Sequence, residues 1–193
     1  MLIGLVGLIG SGKDTVASRL VTDHQFKRDS FAQSLKDAVS NIFGWDRALL
    51  EGKTDESREW REQPDEFWSA KFGHPVTPRW VLQHFGTEVM RGNMLDSIWV
   101  DSLLARYQGD RTVISDTRFV NEINSIRKQG GKIVLIRRGE VPTRDQMQAS
   151  GAHQSEWDWI GSKFDHEIDN SGTLEDLYHS VDRMIIHLLQ DHQ

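Results

Sequence analysis

The chain has 193 residues, 37% of them hydrophobic, with no cysteine and a net charge of −6, which fits one domain with a sizeable core and room for an inserted subdomain. The acidic balance argues against non-specific nucleic-acid binding, which needs a basic surface, and the lack of cysteine excludes disulfides and thiolate metal sites. No run approaches about 18 apolar residues and the apolar start lacks a basic leader, so neither a membrane span nor a signal peptide is predicted and a cytoplasmic protein is expected.

The first strand is predicted at Leu2–Val6, apolar throughout, as a parallel strand buried on both faces should be. It runs directly into Gly7-Leu8-Ile9-Gly10-Ser11-Gly12-Lys13-Asp14-Thr15, a glycine-rich turn ending in Gly-Lys. Glycines let successive backbone N–H groups curl around an anion. Lys13 adds a point charge against terminal phosphates, and the helix opening near Gly12 aims its unpaired N–H groups at the same anion. The bare pattern arises by chance on the order of once in twenty chains of this size. The strand before it and the amphipathic Val16, Ala17, Leu20 and Val21 after it single out a nucleotide-phosphate loop. After such a lysine the usual residue is Ser or Thr, whose hydroxyl ligates magnesium. Here it is Asp14, then Thr15. A carboxylate can hold Mg2+ directly or through water; the alternative is that Asp14 merely caps the helix.

The first helix is predicted over 12–23, a short strand over 26–30, and a helix over 32–43 with Leu35, Ala38, Val39 and Ile42 on one face. Residues 44–77 read as polar and irregular, a segment that covers something or moves. Thr77-Pro78 is a helix start, N-cap followed by first helical residue; that helix is predicted to residue 91, and another over 96–107. A third strand at 112–115 precedes a helix over 119–129, ended by Gly130-Gly131, and a fourth strand at 133–136. Residues 139–164 are polar apart from Val141, Met147, Trp157, Trp159 and Ile160, so they are expected to pack weakly, as a gating element should. A brief strand at 167–169 leads to a last helix opened by Thr173 and Asp176 as a capping box. Strands alternating with helices predict an α/β fold: a three-layer sandwich whose parallel sheet of about five strands is covered on both faces.

In such sheets ligands bind beyond the carboxyl ends of the strands. Lys13 falls there, and so does Asp116, which could accept bonds from magnesium-bound water or from the acceptor group; the alternative is a helix cap. Arg118 either faces a phosphate or pairs with Glu122. Arg137, Arg138 and Arg144 stand around the start of the 139–164 stretch, as cations for phosphate oxygens or as solvated surface charges. His153, Glu156, Asp165 and His166 raise the question of a metal site but lack a regular ligand spacing. The seven tryptophans read as core before base-stacking platforms, with Trp99 the stacking candidate.

Together these residues resemble the deoxynucleoside monophosphate kinases of tailed bacteriophages, within the P-loop nucleotide and nucleoside kinases. The resemblance covers nearly the whole chain. It rests on Gly12-Lys13-Asp14-Thr15, in which Asp14 is the family's own form of the loop, and on Phe31-Ala32 followed by Leu35-Lys36-Asp37. Arg58-Glu59, then Leu82-Gln83 with Gly86-Thr87-Glu88, Arg91 and Trp99, look like its acceptor region. Asp116-Thr117-Arg118 with Asn121-Glu122, Arg137-Arg138-Gly139, His153 with Ser155-Glu156, Asp169-Asn170 and Gly172-Thr173-Leu174-Glu175 complete the set.

The resemblance implies transfer of the ATP γ-phosphate, with Mg2+, to a deoxynucleoside monophosphate, giving ADP and the diphosphate for phage DNA replication in the host cytoplasm. It implies one P-loop kinase domain over 1–193, with an acceptor-binding helical region at about 44–107 and a lid at about 138–165. By carry-over, Gly10, Ser11, Gly12, Lys13, Asp14 and Thr15 hold the donor phosphates, Arg137 opens the lid, and Asn170 flanks adenine. Lys36, Arg58, Gln83, Glu88, Arg91, Trp99 and Arg118 meet the acceptor. Asp14 and Asp116 hold the metal, and Lys13, Asp116 and Arg137 act in catalysis. No nucleic-acid or membrane partner is expected; a homodimer is one assembly the resemblance admits. A competing reading is another small-molecule P-loop kinase, such as a dephospho-coenzyme A kinase, a class that lacks the Gly-Thr-Glu helix and the Asp-x-Arg-x-x-Asn-Glu run. A nucleotide-dependent switch is a third; such proteins usually show a guanine-reading Asn-Lys-x-Asp or a switch threonine, and this chain contains no Asn-Lys-x-Asp.

Overall fold

The computed structural model describes residues 1–190. Along the chain run β1 (Leu2–Val6), α1 (Lys13–His24), β2 (Lys27–Asp29), α2 (Gln33–Phe43), α3 (Arg47–Glu51), α4 (Asp55–Glu62), α5 (Glu66–Phe72) and α6 (Pro78–Gln83). Then follow α7 (Ile98–Arg106), β3 (Thr112–Ile114), α8 (Val120–Lys128), β4 (Lys132–Arg137), α9 (Arg144–Ala149), β5 (His166–Asp169) and α10 (Leu174–Gln190). The strands form one sheet in the order β2-β3-β1-β4-β5, and every neighbouring pair is parallel. No helix among the described residues is long and apolar enough to cross a membrane.

All five residues of β1 are buried because alternate side chains enter opposite layers. Ile3 and Leu5 join Val16, Ala17 and Leu20 of α1 and Leu177, Val181, Met184, Ile185 and Leu188 of α10 in one core. Each fully buried aliphatic side chain is worth about 1.5–3 kcal/mol. Gly4 faces the other layer, where a Cβ would stand 2.5 Å from Ile126 Cδ1 of α8. A glycine in the middle of the strand is what lets α8 lie against it. The predicted α/β sandwich is therefore the observed one.

The chain forms two compact units, one from Met1–Ser30 together with the chain from Leu103 onward, the other Phe31–Ser102. The sheet lies wholly in the first. In the second unit, the segment expected to be irregular contains three short helices. Each opens on a side-chain cap: Asp46 accepts from the Ala48 N–H, Thr54 and Ser57 form a capping box, and Asp65 accepts from the Trp68 N–H. The helices are too short for apolar periodicity to reveal them, and their packing is aromatic. Phe43 stacks on Trp45 at 4.7 Å, and Trp45 meets Trp60 edge-on at 6.0 Å.

Thr77 caps α6 and Pro78 is its first residue, as expected. The predicted single helix to residue 91 is, however, an α-helix only through Gln83, and His84–Arg91 is a π-helix. The Trp99 Nε1–H donates to the Gly86 carbonyl at 2.9 Å, and the Gly92 N–H reaches back five residues to Thr87. Gly86 also packs closely: a Cβ there would meet a terminal methyl of Leu35 of α2 at 2.8 Å.

Candidate active site

The loop between β1 and α1 is set by its glycines. Gly7, Gly10 and Gly12 all have positive φ, at 149°, 78° and 102°, a region that L side chains rarely adopt. Gly7 and Gly12 also lack space: a Cβ at Gly7 would collide with the Ile136 carbonyl oxygen, and one at Gly12 with the Asn170 side-chain amide. Lys13 lies across its own loop, its Nζ donating to the carbonyls of Gly7 and Leu8 at 2.7 Å each. Ser11 is buried, and its hydroxyl has no hydrogen-bond partner in the protein. A buried hydroxyl left unpaired inside a loop of inward-facing amides suits an anion better than an empty turn.

The Lys13 pKa is lowered to about 8, first by burial and then by Arg118, with Asp14 and Asp116 acting in the opposite direction. Two cations and two carboxylates thus share one electrostatic environment at the carboxyl edge of the sheet. The N-cap of α1 is Gly12, and Asp14 lies in the first turn of the helix. Asp14 pairs with Arg28 Nη2, while Arg28 Nε donates to Ser115 Oγ at 3.1 Å. Arg28 and Ser115 were not singled out in the sequence. Arg28 lies in a three-residue strand of charged residues, too short to show which side chains point toward the loop.

After β3 the chain turns through Asp116, Thr117 and Arg118 into α8. The buried Glu122 carboxylate accepts the backbone N–H groups of Arg118, at 2.7 Å, and Phe119, at 3.0 Å. The acid that could have paired with the Arg118 guanidinium is thus committed to the turn, and it holds Arg118 where its charge is felt by Lys13.

Arg137 and Asn170, carried over to the donor side, and Arg144, a candidate cation of the 139–164 stretch, have local partners. Arg137, last in β4, pairs with Glu167 and, at 2.8 Å, with Asp169, both on β5; the Glu167 hydrogen bond is the main cause raising its pKa. Asn170 holds the loop that follows β5 against the phosphate loop: its side-chain amide donates to the Ser11 carbonyl at 2.9 Å and its backbone N–H to the Arg137 carbonyl at 2.8 Å. It braces the phosphate loop. Arg144 holds its own segment, bonding the carbonyls of Ile160, at 2.5 Å, and Asp158.

The 139–164 segment also departs from expectation. Trp159 is only 2% exposed and Ile160 is buried. The Asp158 carboxylate accepts the Val120 N–H at 2.9 Å, and Arg127 donates to the Lys163 carbonyl at 2.5 Å. The second half of the segment is therefore anchored on α8. His153 caps a short 3-10 turn, and Asp165 accepts the Ile133 N–H beside the sheet at 2.8 Å. Among the described residues no cluster of three or more His, Asp or Glu could hold a metal.

In the second unit the acceptor candidates are engaged with carboxylates. Lys36 bonds Glu51 at 2.8 Å; burial pushes the Glu51 pKa up, but Lys36 and Arg47 outweigh it and bring it down to about 2. Arg91 reaches Asp96 at 2.7 Å. Arg58 reaches Asp55 at 2.6 Å and the carbonyls of Gly52 and Lys53, both at 3.2 Å. Glu88 lies 3.7 Å from His84 one turn away, and Gln83 ends α6. Trp99 is buried with its N–H on Gly86, so it serves as a support for the π-helix and not as an open stacking face.

A parallel sheet carrying a glycine loop and a lysine at the head of its first helix, with acidic and basic side chains gathered at the strand ends, is the arrangement of a P-loop phosphotransferase. The family description "deoxynucleotide monophosphate kinase" matches residues 54–181. A protein of Acanthamoeba polyphaga mimivirus bearing that name is 33% identical over 197 residues, covering 94% of each chain. The deoxynucleotide monophosphate kinase of Escherichia phage RB69 is 28% identical over 115 residues, covering 55% of this chain and 44% of its own. Among solved structures, the chain resembles shikimate kinase from Aquifex aeolicus at a TM-score of 0.49 with 16% identity, over 100% of this chain and 98% of that one. The chain belongs to the deoxynucleotide monophosphate kinase family.

Proposed function

We propose that the protein transfers the γ-phosphate of ATP to a deoxynucleoside 5′-monophosphate, releasing ADP and the deoxynucleoside diphosphate. The observation that carries this reading is the charge group around Lys13: Arg118, Asp14 and Asp116 all act on it at the mouth of the glycine loop. Phosphoryl transfer asks a protein for positioning and for charge placed around the transferred group. Lys13 is the donor-phosphate ligand; it exchanges two loop carbonyls for phosphate oxygens. The loop amides and the Ser11 hydroxyl supply further donors. Arg118 is a second cation beside Lys13, and Arg137 joins it by leaving Glu167 and Asp169. Asn170 keeps the loop in shape.

Magnesium is usually held by one or two carboxylates plus substrate phosphates. Asp14 and Asp116 are hard oxygen donors beside the loop and fit that demand. Bound there, the ion would neutralise charge on the transferred group. On the acceptor side, Lys36, Arg58 and Arg91 are the phosphate candidates, each giving up a carboxylate to take the phosphate; Gln83 and Glu88 are the base candidates.

The test is ATP consumption with a panel of acceptors: the four common deoxynucleoside monophosphates, their ribose counterparts and dephospho-coenzyme A. Phosphorylation of one or more deoxynucleotides is expected. Turnover with dephospho-coenzyme A alone, or none with any monophosphate, would overturn the proposal.

A further inference from the structure

Arg28 is a charged residue on the edge strand of the sheet, and its guanidinium is held from two sides. Nε donates to Ser115 Oγ at 3.1 Å, a hydroxyl on a buried residue just past β3. Nη2 meets the Asp14 carboxylate. The parallel register sets Arg28 opposite Val113, so a side chain reaching toward the carboxyl edge comes to Ser115. The Arg28 side chain is 29% exposed whereas that of Asp14 is 82% exposed. The guanidinium is the built-in member of the pair, and the carboxylate comes to it.

Asp14 stands where phosphate loops usually place a hydroxyl. A carboxylate there repels donor phosphates unless a cation neutralises it. The charged groups near it are Lys13, Asp116 and Arg118, which share the same field, and Arg28, which bonds it directly. We infer that Arg28 is a positioning residue that holds and neutralises Asp14 until a divalent cation replaces it, and so determines how far donor binding depends on metal. This rests on the reading that ATP occupies the glycine loop. In that view one carboxylate serves two cations in turn. Without metal, the Arg28–Asp14 pair keeps the loop receptive to phosphate. With metal, Asp14 turns to the ion and Arg28 keeps its bond to Ser115.

The experiment is a titration of a fluorescent ATP analogue into wild-type, Arg28→Gln, Asp14→Asn and doubly substituted protein, once in EDTA and once in excess Mg2+. Arg28→Gln should weaken metal-free binding by about tenfold, the scale of one lost charge neutralisation. With Mg2+ the same substitution should change affinity by less than about threefold. In the Asp14→Asn background, Arg28→Gln should lose most of its metal-free effect. Equal weakening with and without Mg2+, no weakening at all, or an effect undiminished by Asp14→Asn would each overturn the inference. Failure of wild-type protein to bind the analogue in either buffer would instead overturn the phosphate-loop reading. Arg28→Lys, which keeps the charge and loses the fork, should weaken metal-free binding less than Arg28→Gln. Thermal melts of all variants separate this effect from loss of fold.

Discussion

The glycine loop and the 139–164 segment belong to the same unit, and they are held by opposite means. The loop keeps its shape through backbone conformation: three glycines at positive φ, two of them with no room for a Cβ. The segment keeps its shape through side chains: Trp159 and Ile160 in the core, Arg144 on two of the segment's own carbonyls, and Asp158 on the Val120 N–H. A loop built from backbone conformations announces itself by glycine spacing. A loop built from a few anchors looks polar and loose, because two buried side chains leave no period to read.

The sharpest way to test the first half of that contrast is Lys13→Met. It should lower turnover by about a thousandfold, the upper range for removing one preorganised donor from a transferring group, with the melting temperature unchanged or raised because a desolvated amine has gone. Steady-state kinetics beside a thermal melt would check it, and near-normal turnover by folded protein would refute the loop's role.

For the second half, Trp159→Ala should cost about 3–5 kcal/mol of stability in a denaturant titration, as for other aromatic-to-alanine changes in cores. A loss under about 1 kcal/mol would mean that the segment floats.

A third prediction follows from the Lys13 pKa of about 8. Phosphate binding favours the charged amine, so ATP affinity should fall as pH rises through about 8, at most about tenfold per pH unit. It should be flat just below that value on this account, and Lys13→Met should abolish the slope. The folding effect has the opposite sense. Unfolded chains hold this proton up to the ordinary lysine value of 10.5, so the unfolded state binds more protons between about 8 and that value. Stability of the ligand-free protein should therefore rise with pH across that window.

The smallest effects belong to the arginines. Arg137→Ala and Arg144→Ala should each lower turnover more than ATP affinity, Arg137 more, since it is fixed by β4 while Arg144 braces its own segment; a few-fold, about threefold to tenfold, is the expected range. Hydrogen exchange would sharpen the point. Residues 157–164 should be protected with or without ligands, and a slowing on adding ATP with a deoxynucleotide should be confined to residues 139–152. Uniform slowing from 139 to 164 would restore the picture of a single mobile lid.

The fold was legible where side-chain period and glycine chemistry coincide. β1, the loop, α1 and the Thr77-Pro78 helix start could be read directly, and so could the reciprocal bonds between Thr173 and Asp176 at the head of α10, at 2.9 and 3.2 Å. The three short helices after Gly44 were not, because five to eight residues are less than the period needs. The π-helix was not, because it depends on a hydrogen bond from Trp99, thirteen residues from Gly86. That Lys13, Asp116 and Arg118 come together was legible from position relative to the strands. Arg28 was not, since its role depends on a partner eighty-seven residues away. Asn170 was found by family pattern, but its contact with the Ser11 carbonyl was not, because no pattern says which atom an amide will touch.

That last contact bears on how the protein is made. Asn170 braces a carbonyl 159 residues earlier in the chain, and Asp182 of α10 binds Arg19 of α1 across 163. β1 sits between β3 and β4, so its hydrogen-bonding partners leave the ribosome long after it does. The phosphate loop is thus synthesised well before the elements that complete it. While translation continues, β1 is an apolar strand without neighbours, the kind of exposed edge that invites wrong partners. The second unit is one continuous stretch, Phe31–Ser102, and can form in the interval. A nascent chain halted before α10 should therefore hold an ordered helical unit and no competent nucleotide site.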